Sequence, residues 1–165
     1  MQVYGYIFFI CALFAVVMSL QVNVDSDIKA MDRLQKANEF AVHDGAIPLN
    51  FANFSEGGFR FEKSVGKQNY IDSISYSLNA TWNGSEFIPS TDSFFQEPIK
   101  LLYLDFVDSS HPSCPSFPCT FDIPITNTVE NLAGPSVLAI LETKSPRFFT
   151  GTPLTVRKLS IYEYK

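Results

Sequence analysis

The sequence predicts a mainly β fold: an antiparallel, immunoglobulin-like β-sandwich preceded by one short N-terminal helix. Three observations carry that prediction. After Gly45 the apolar residues follow a period of 2, short candidate strands recur with turn residues between them, and no βαβ alternation occurs. The expected layout is a signal peptide over residues 1–20, a helical segment over 21–45 and a sandwich domain over 46–165.

Ile7 to Leu20 is an uninterrupted apolar run of 14 residues, and the first 20 residues carry no charge. That length matches the apolar core of a secretory signal and falls short of the roughly 20 residues that span a bilayer. Val17, Met18 and Ser19 are small enough for cleavage after Ser19, with Gln21 the alternative point, and cleavage is expected because acidic residues (Asp25, Asp27) follow without a basic stop-transfer flank. The leading MQVYGY lacks Lys and Arg, so the alternative is a retained anchor in which Tyr4 to Val22 just crosses a thin membrane. Cleavage predicts a secreted protein, extracellular or in the lumen of the secretory and endosomal pathway, with no stable membrane insertion.

Asp25 to His43 is the helix candidate. Asp25 or Ser26 supplies the cap, Gly45 the stop, and Ile28, Met31, Leu34 and Ala41 one apolar face. Asp72 to Trp82 reads as a strand, with Ile74, Tyr76, Leu78, Ala80 and Trp82 on one side and Ser73, Ser75, Ser77, Asn79 and Thr81 on the other. Asn83-Gly84 then suits a two-residue hairpin turn that sets Trp82 opposite Ser85 and Ala80 opposite Phe87. Further strands are expected at 58–63, 100–107, 120–126, 137–143 and 154–164. VLAILET has almost no polar alternation and reads as a central strand, Pro124 marks an edge, and a parity change after Val156 suggests a bulge near Arg157-Lys158.

Cys11 lies in the apolar run, which leaves Cys114 and Cys119 as an even pair in an oxidising compartment. Cys-x4-Cys with only His43 and His111 elsewhere cannot complete a zinc sphere, so a disulfide is expected. Its small ring limits the gain to about 2–3 kcal/mol. Sequons at Asn53, Asn79 and Asn83 point to a glycoprotein, with Asn79 on the wet face and Asn83 at a turn tip.

With 12 basic against 17 acidic side chains, the chain has no basic stripe for nucleic acid or an anionic membrane surface. Aromatics at 15% supply too much apolar area for disorder. No nucleophile-elbow, zinc-protease, phosphate-loop or calcium-loop pattern occurs. His43 suits a helix end, His111 a turn, and Asp105 with Asp108 a wet strand face, so neither enzyme activity nor a metal or cofactor is expected. Binding remains. Of 16 phenylalanines, 13 follow residue 20, and the pairs Phe94-Phe95 and Phe148-Phe149 fall in predicted loops. Such pairs line a cavity mouth or form a surface patch, and these four are the candidate ligand-binding residues.

GFRFEKSVG, the segment IDSISYSLNATWNG with FIP after it, the Cys114-Pro115 step, and then FDIPI, GPSVLAILET and LTVRKLSIYEY follow in an order that resembles the MD-2-related lipid-recognition (ML) domains over about residues 56–165. The resemblance implies a two-sheet sandwich holding a lipid or other hydrophobic small molecule between its sheets, with Cys114 structural. The chain departs from that family in its single cysteine pair and its leading helix. The competing expectation is a secreted structural or interaction module, adhesive or carbohydrate-binding, that meets an extracellular protein or glycan without a cavity. A protease inhibitor with a helix laid on a sheet fits the element order but lacks a recognisable inhibitory loop.

Overall fold

The computed structural model describes residues 2–49 and 59–164; the Asn53 sequon, Phe51 and Phe54 lie outside them. Helix α1 (Gln2–Ala46) and helix α2 (Lys63–Leu78) precede seven strands: β1 (Ala80–Trp82), β2 (Glu86–Pro89), β3 (Ile99–Val107), β4 (Cys119–Ile123), β5 (Thr128–Leu132), β6 (Ser136–Lys144) and β7 (Thr155–Glu163). Five form an antiparallel sheet in the order β1-β2-β3-β6-β7, and β4-β5 is a separate antiparallel hairpin. Antiparallel pairing is therefore as expected, but the chain is 39% helix to 30% strand. The mainly β, immunoglobulin-like sandwich gives way to three layers: two helices, the large sheet, and the β4-β5 hairpin on its far face.

The first departure is the length of α1. No Gly or Pro lies between Tyr6 and Asp44, so nothing interrupts a helix that starts in the apolar run and ends just before Pro48. Asp25 and Ser26 are not caps. Asp25 pairs with Lys29 one turn on (2.6 Å), and the Ser26 hydroxyl donates to the Pro146 carbonyl (2.8 Å). Of the predicted stripe, Leu34 and Ala41 are buried and Met31 packs against the core, while Ile28 is exposed; Ala30, Ala37 and Val42 complete the packed face. Buried Asn38 lies among them. Its amide donates to the carbonyls of Ala139 (3.0 Å) and Lys158 (3.2 Å) and accepts from the Tyr70 hydroxyl (2.7 Å). One side chain thus joins both helices to β6 and β7.

The second departure is α2, which occupies most of the predicted strand 72–82. Gly66, Tyr70, Ile74 and Leu78 recur every four residues and are buried together with Ile71. Every fourth residue also satisfies a period of 2, so Ile74 and Leu78 fit either pattern. Tyr76 decides it, being 92% exposed as a residue on the outer helix face should be. Asn79 ends α2 in the left-handed conformation, its N–H bonded to the carbonyls of Ser75 and Tyr76. α1 and α2 approach closely where two glycines meet: a Cβ on Gly66 would lie 2.5 Å from the Gly45 carbonyl oxygen and 2.7 Å from the Phe106 ring. Gly45, expected to stop α1, instead lies inside its last turn at this crossing.

The β1-β2 hairpin forms in a different register. Trp82 faces Phe87, Thr81 faces Ile88 and Ala80 faces Pro89, a shift of two that keeps every side chain on its predicted face. The turn holds four residues because the Asn83 side-chain oxygen accepts the N–H groups of Ser85 and Glu86 (2.9 Å each), while the Asn83 N–H donates to the Glu86 carbonyl (3.1 Å). In the predicted strand at 58–63, the described residues form one bridge, Leu49 with Phe61.

β6 is central and buried almost throughout, as its apolar run predicts. β7 pairs with it in unbroken register from Ser136–Glu163 to Lys144–Thr155, so no bulge lies at Arg157-Lys158; the irregularity falls in β3, between Leu101 and Tyr103. The parity change in β7 has another cause. Val156 and Tyr162 pack on the helix side, whereas Leu159 and Ile161 pack under the β4-β5 hairpin, so alternation is kept and the later half of the strand is apolar on both faces. β5, whose TVENL carries little apolar signal, was not predicted; it pairs with β4, which ends just before Pro124.

Leu34, Tyr70, Ile74, Phe87, Ile99 and Phe106 occupy the layer between helices and sheet. Each such side chain contributes about 1.5–3 kcal/mol through the apolar area removed from water. A smaller core of Val107, Phe121, Ile123, Leu132, Leu138 and Ile140 lies beneath the hairpin. The Cys114–Cys119 disulfide is formed, in the connection that leads into β4.

Candidate functional site

Of the two phenylalanine pairs, only one is presented to solvent. Phe95 is fully buried and packs edge-on to half-buried Phe94 (5.3 Å between centroids), over which the Arg33 guanidinium sits at 4.5 Å. The Ser93 hydroxyl ties this turn to the Leu78 carbonyl (2.6 Å) at the end of α2. The structure therefore places Phe95 in the core and Phe94 as its cover.

Phe148 and Phe149 sit in the β6-β7 connection and are 57% and 48% exposed. The connection is nonetheless tightly held. Its base closes where the Ser145 N–H donates to the Leu154 carbonyl (2.8 Å) and the Leu154 N–H donates to the Ser145 hydroxyl (3.0 Å). Arg147 binds both carboxylate oxygens of Asp27 (2.5 and 3.2 Å) and donates twice to the Thr152 carbonyl (3.0 and 2.8 Å). Asn23 accepts from the Phe149 N–H and donates to the Thr150 carbonyl, both at 3.4 Å. The Arg147 hydrogen bonds hold the Asp27 carboxyl below the usual range against the opposing effect of partial burial, with Ser145 as a further donor. The result is a pinned loop that displays two aromatic rings.

An open groove of about 320 Å³ separates Phe149 and Thr150 from Ala15, Val16, Ser19 and Leu20 of α1. The wall on the α1 side belongs to the apolar segment, whose large side chains from Val3 to Leu20 are 43–79% exposed. Val3–Ala46 is long and apolar enough to cross a membrane, and its position near the N-terminus fits a signal sequence equally. No residue in 15–23 departs from helix, so Asn23 and Asp27 lie in the turns next to the expected cleavage point. Sequence reasoning did not foresee Asn23, Asp27 and Arg147. The short spacing of Arg147 to Phe148-Phe149 is visible in the chain, but its partner lies 120 residues away.

The remaining polar groups each have a local explanation. The Tyr103 hydroxyl donates to Asp105 (2.8 Å), and burial together with that carboxylate holds the phenol well above its ordinary range. The His111 Nδ1 accepts the Ser113 N–H (3.2 Å), which leaves Nε2–H to face Asp105 at 3.4 Å. Asp108 is buried. It accepts from the Phe61 N–H (3.1 Å) and from the N–H and hydroxyl of Ser110 (3.0 and 2.6 Å), and so stitches the segment before α2 to the end of β3. Asp105 and Asp108 thus have separate partners. His43 is half exposed at the end of α1, edge-on to Tyr162. Among the described residues no group of three or more His, Cys, Asp or Glu is arranged to hold a metal ion. Asn79 and Asn83 are exposed at either end of β1. Comparison of the chain with protein-family models, curated proteins and solved structures returns no match.

Proposed function

We propose that the protein is an exported, non-catalytic binding module that meets a hydrophobic partner, lipid or protein, through the β6-β7 loop. The observation that carries this reading is the combination of exposure and fixation at Phe148 and Phe149: two large apolar rings face solvent on a loop held by five polar side chains. A floppy loop would lose its ordering entropy on binding; a pinned one has already lost it. Two exposed phenylalanines also bury enough area on contact to serve as anchors.

The test is capture. Photo-cross-linking from position 150, exposed on the same loop, with parallel incubation in a lipid extract, is expected to yield a bound lipid or a discrete protein adduct that disappears when Phe148→Ala/Phe149→Ala is added. Full recovery in that double variant would remove the loop from the reading.

A further inference from the structure

Strand β2 has four residues and β3 has nine, so β2 pairs with β3 only at Ile99 and Lys100. Beyond Lys100 the side of β3 away from β6 has no strand neighbour among the described residues. A groove of about 420 Å³ lies there, lined by Leu101, Leu102, Tyr103 and Leu104 in succession. Leu101 and Leu104 pack on the helix side of the sheet and Leu102 and Tyr103 on the hairpin side, so a groove touching all four runs along the edge of the strand. Trp82 and Phe106 supply aromatic walls. Lys63 and Lys67, one turn apart on α2, form the remaining side. Lys63 approaches Asp108 only to 4.0 Å, and no carboxylate lines the groove, although the chain as a whole has a net charge of -5.

We propose that this groove is a peptide-binding site for a short, extended, acidic segment of a partner protein. The segment adds to the free edge of β3 by backbone hydrogen bonds, and its carboxylate side chain reaches Lys63 and Lys67. The apolar walls receive alternate side chains of the segment. Pairing stops before Phe106, whose N–H is already taken by the Asp105 carboxylate (2.8 Å), so the paired stretch is about four residues long. An unpaired edge is what distinguishes a peptide from an acyl chain as occupant: only the peptide carries the donors and acceptors to complete it. The site lies on the sheet edge and is independent of the Phe148-Phe149 loop.

The probe is an acetylated, fluorescein-labelled hexapeptide of alternating threonine and valine ending in two glutamates, titrated into the full chain by fluorescence anisotropy. Binding is expected, with slowed amide exchange at Leu102 to Leu104. A matched peptide ending in two lysines is expected to bind at least tenfold more weakly. Lys67→Glu is expected to cost the glutamate peptide at least tenfold in affinity; Lys67 is exposed, so near-ultraviolet circular dichroism should show the fold intact. Equal binding of the two peptides, an unaffected Lys67→Glu variant, protection elsewhere in the chain, or no binding at millimolar peptide would each overturn the proposal. So would decanoate protecting the same amides where the peptide does not, since that would assign the groove to an acyl carboxylate.

Discussion

Asp27 and Arg147 form the bidentate pair that fixes the aromatic loop to α1. Because the folded-state pKa of Asp27 is depressed, its contribution is fully present above the unfolded value near 4 and is lost as pH falls through the folded value. Acidification from pH 5 to pH 2 should therefore release the loop before the sheet unfolds. Protection factors at residues 147–152, taken against the intrinsic exchange rate at each pH, are expected to fall over that range, and Asp27→Asn should show the lowered protection already at pH 7. A flat pH response in the wild type would rule the pair out as the restraint. At this scale the sequence was only partly legible. Phe94-Phe95 and Phe148-Phe149 look alike as dipeptides, and what separates them is the neighbour each meets: Arg33 and the end of α2 for one, solvent for the other.

Elements fared according to how distinctive their periods are. β6 was legible because an apolar run of its length admits few alternatives. α2 was not, because its buried positions repeat every four residues and so satisfy both periods, while the serines between them suit a wet strand face. Its true identity rests on a tertiary fact, the close approach to α1 at Gly45 and Gly66. Gly66→Ala would force the new methyl against the Gly45 carbonyl and the Phe106 ring. A loss of about 1–3 kcal/mol is expected from such overpacking, measurable as a lower urea midpoint.

For the whole molecule, the count of antiparallel strands was nearly readable, but the layer that covers them was not. A strand's alternation says which of its sides is apolar and nothing about whether a helix or another sheet lies against it. β7 shows the difficulty in miniature, since its second half packs against a layer on each face and so imitates a bulge. The disulfide was legible from cysteine arithmetic alone. Its ring encloses only the turn into β4, so reduction is expected to loosen the β4-β5 hairpin and leave the helix-covered core folded. A Cys114→Ser/Cys119→Ser variant should keep its far-ultraviolet spectrum while amides of β4 and β5 exchange faster.

Alanine dominates the stripe by which α1 lies on the sheet, and small residues spaced a turn apart are nearly interchangeable as packing units. Sliding the helix by one turn, about 5.4 Å, would exchange one small residue for another at many contacts. Asn38 removes that degeneracy, because its three hydrogen bonds exist at one position of the helix only. It functions as an index mark that tells the helix where to stop. Asn38→Leu should leave a folded chain, weakened by about 1–3 kcal/mol for the stranded Tyr70 hydroxyl, in which α1 samples more than one seating. Duplicated or broadened amide resonances over residues 30–46 would report it, and the aromatic loop, hung from the same helix at Asn23 and Asp27, would inherit the uncertainty in its position.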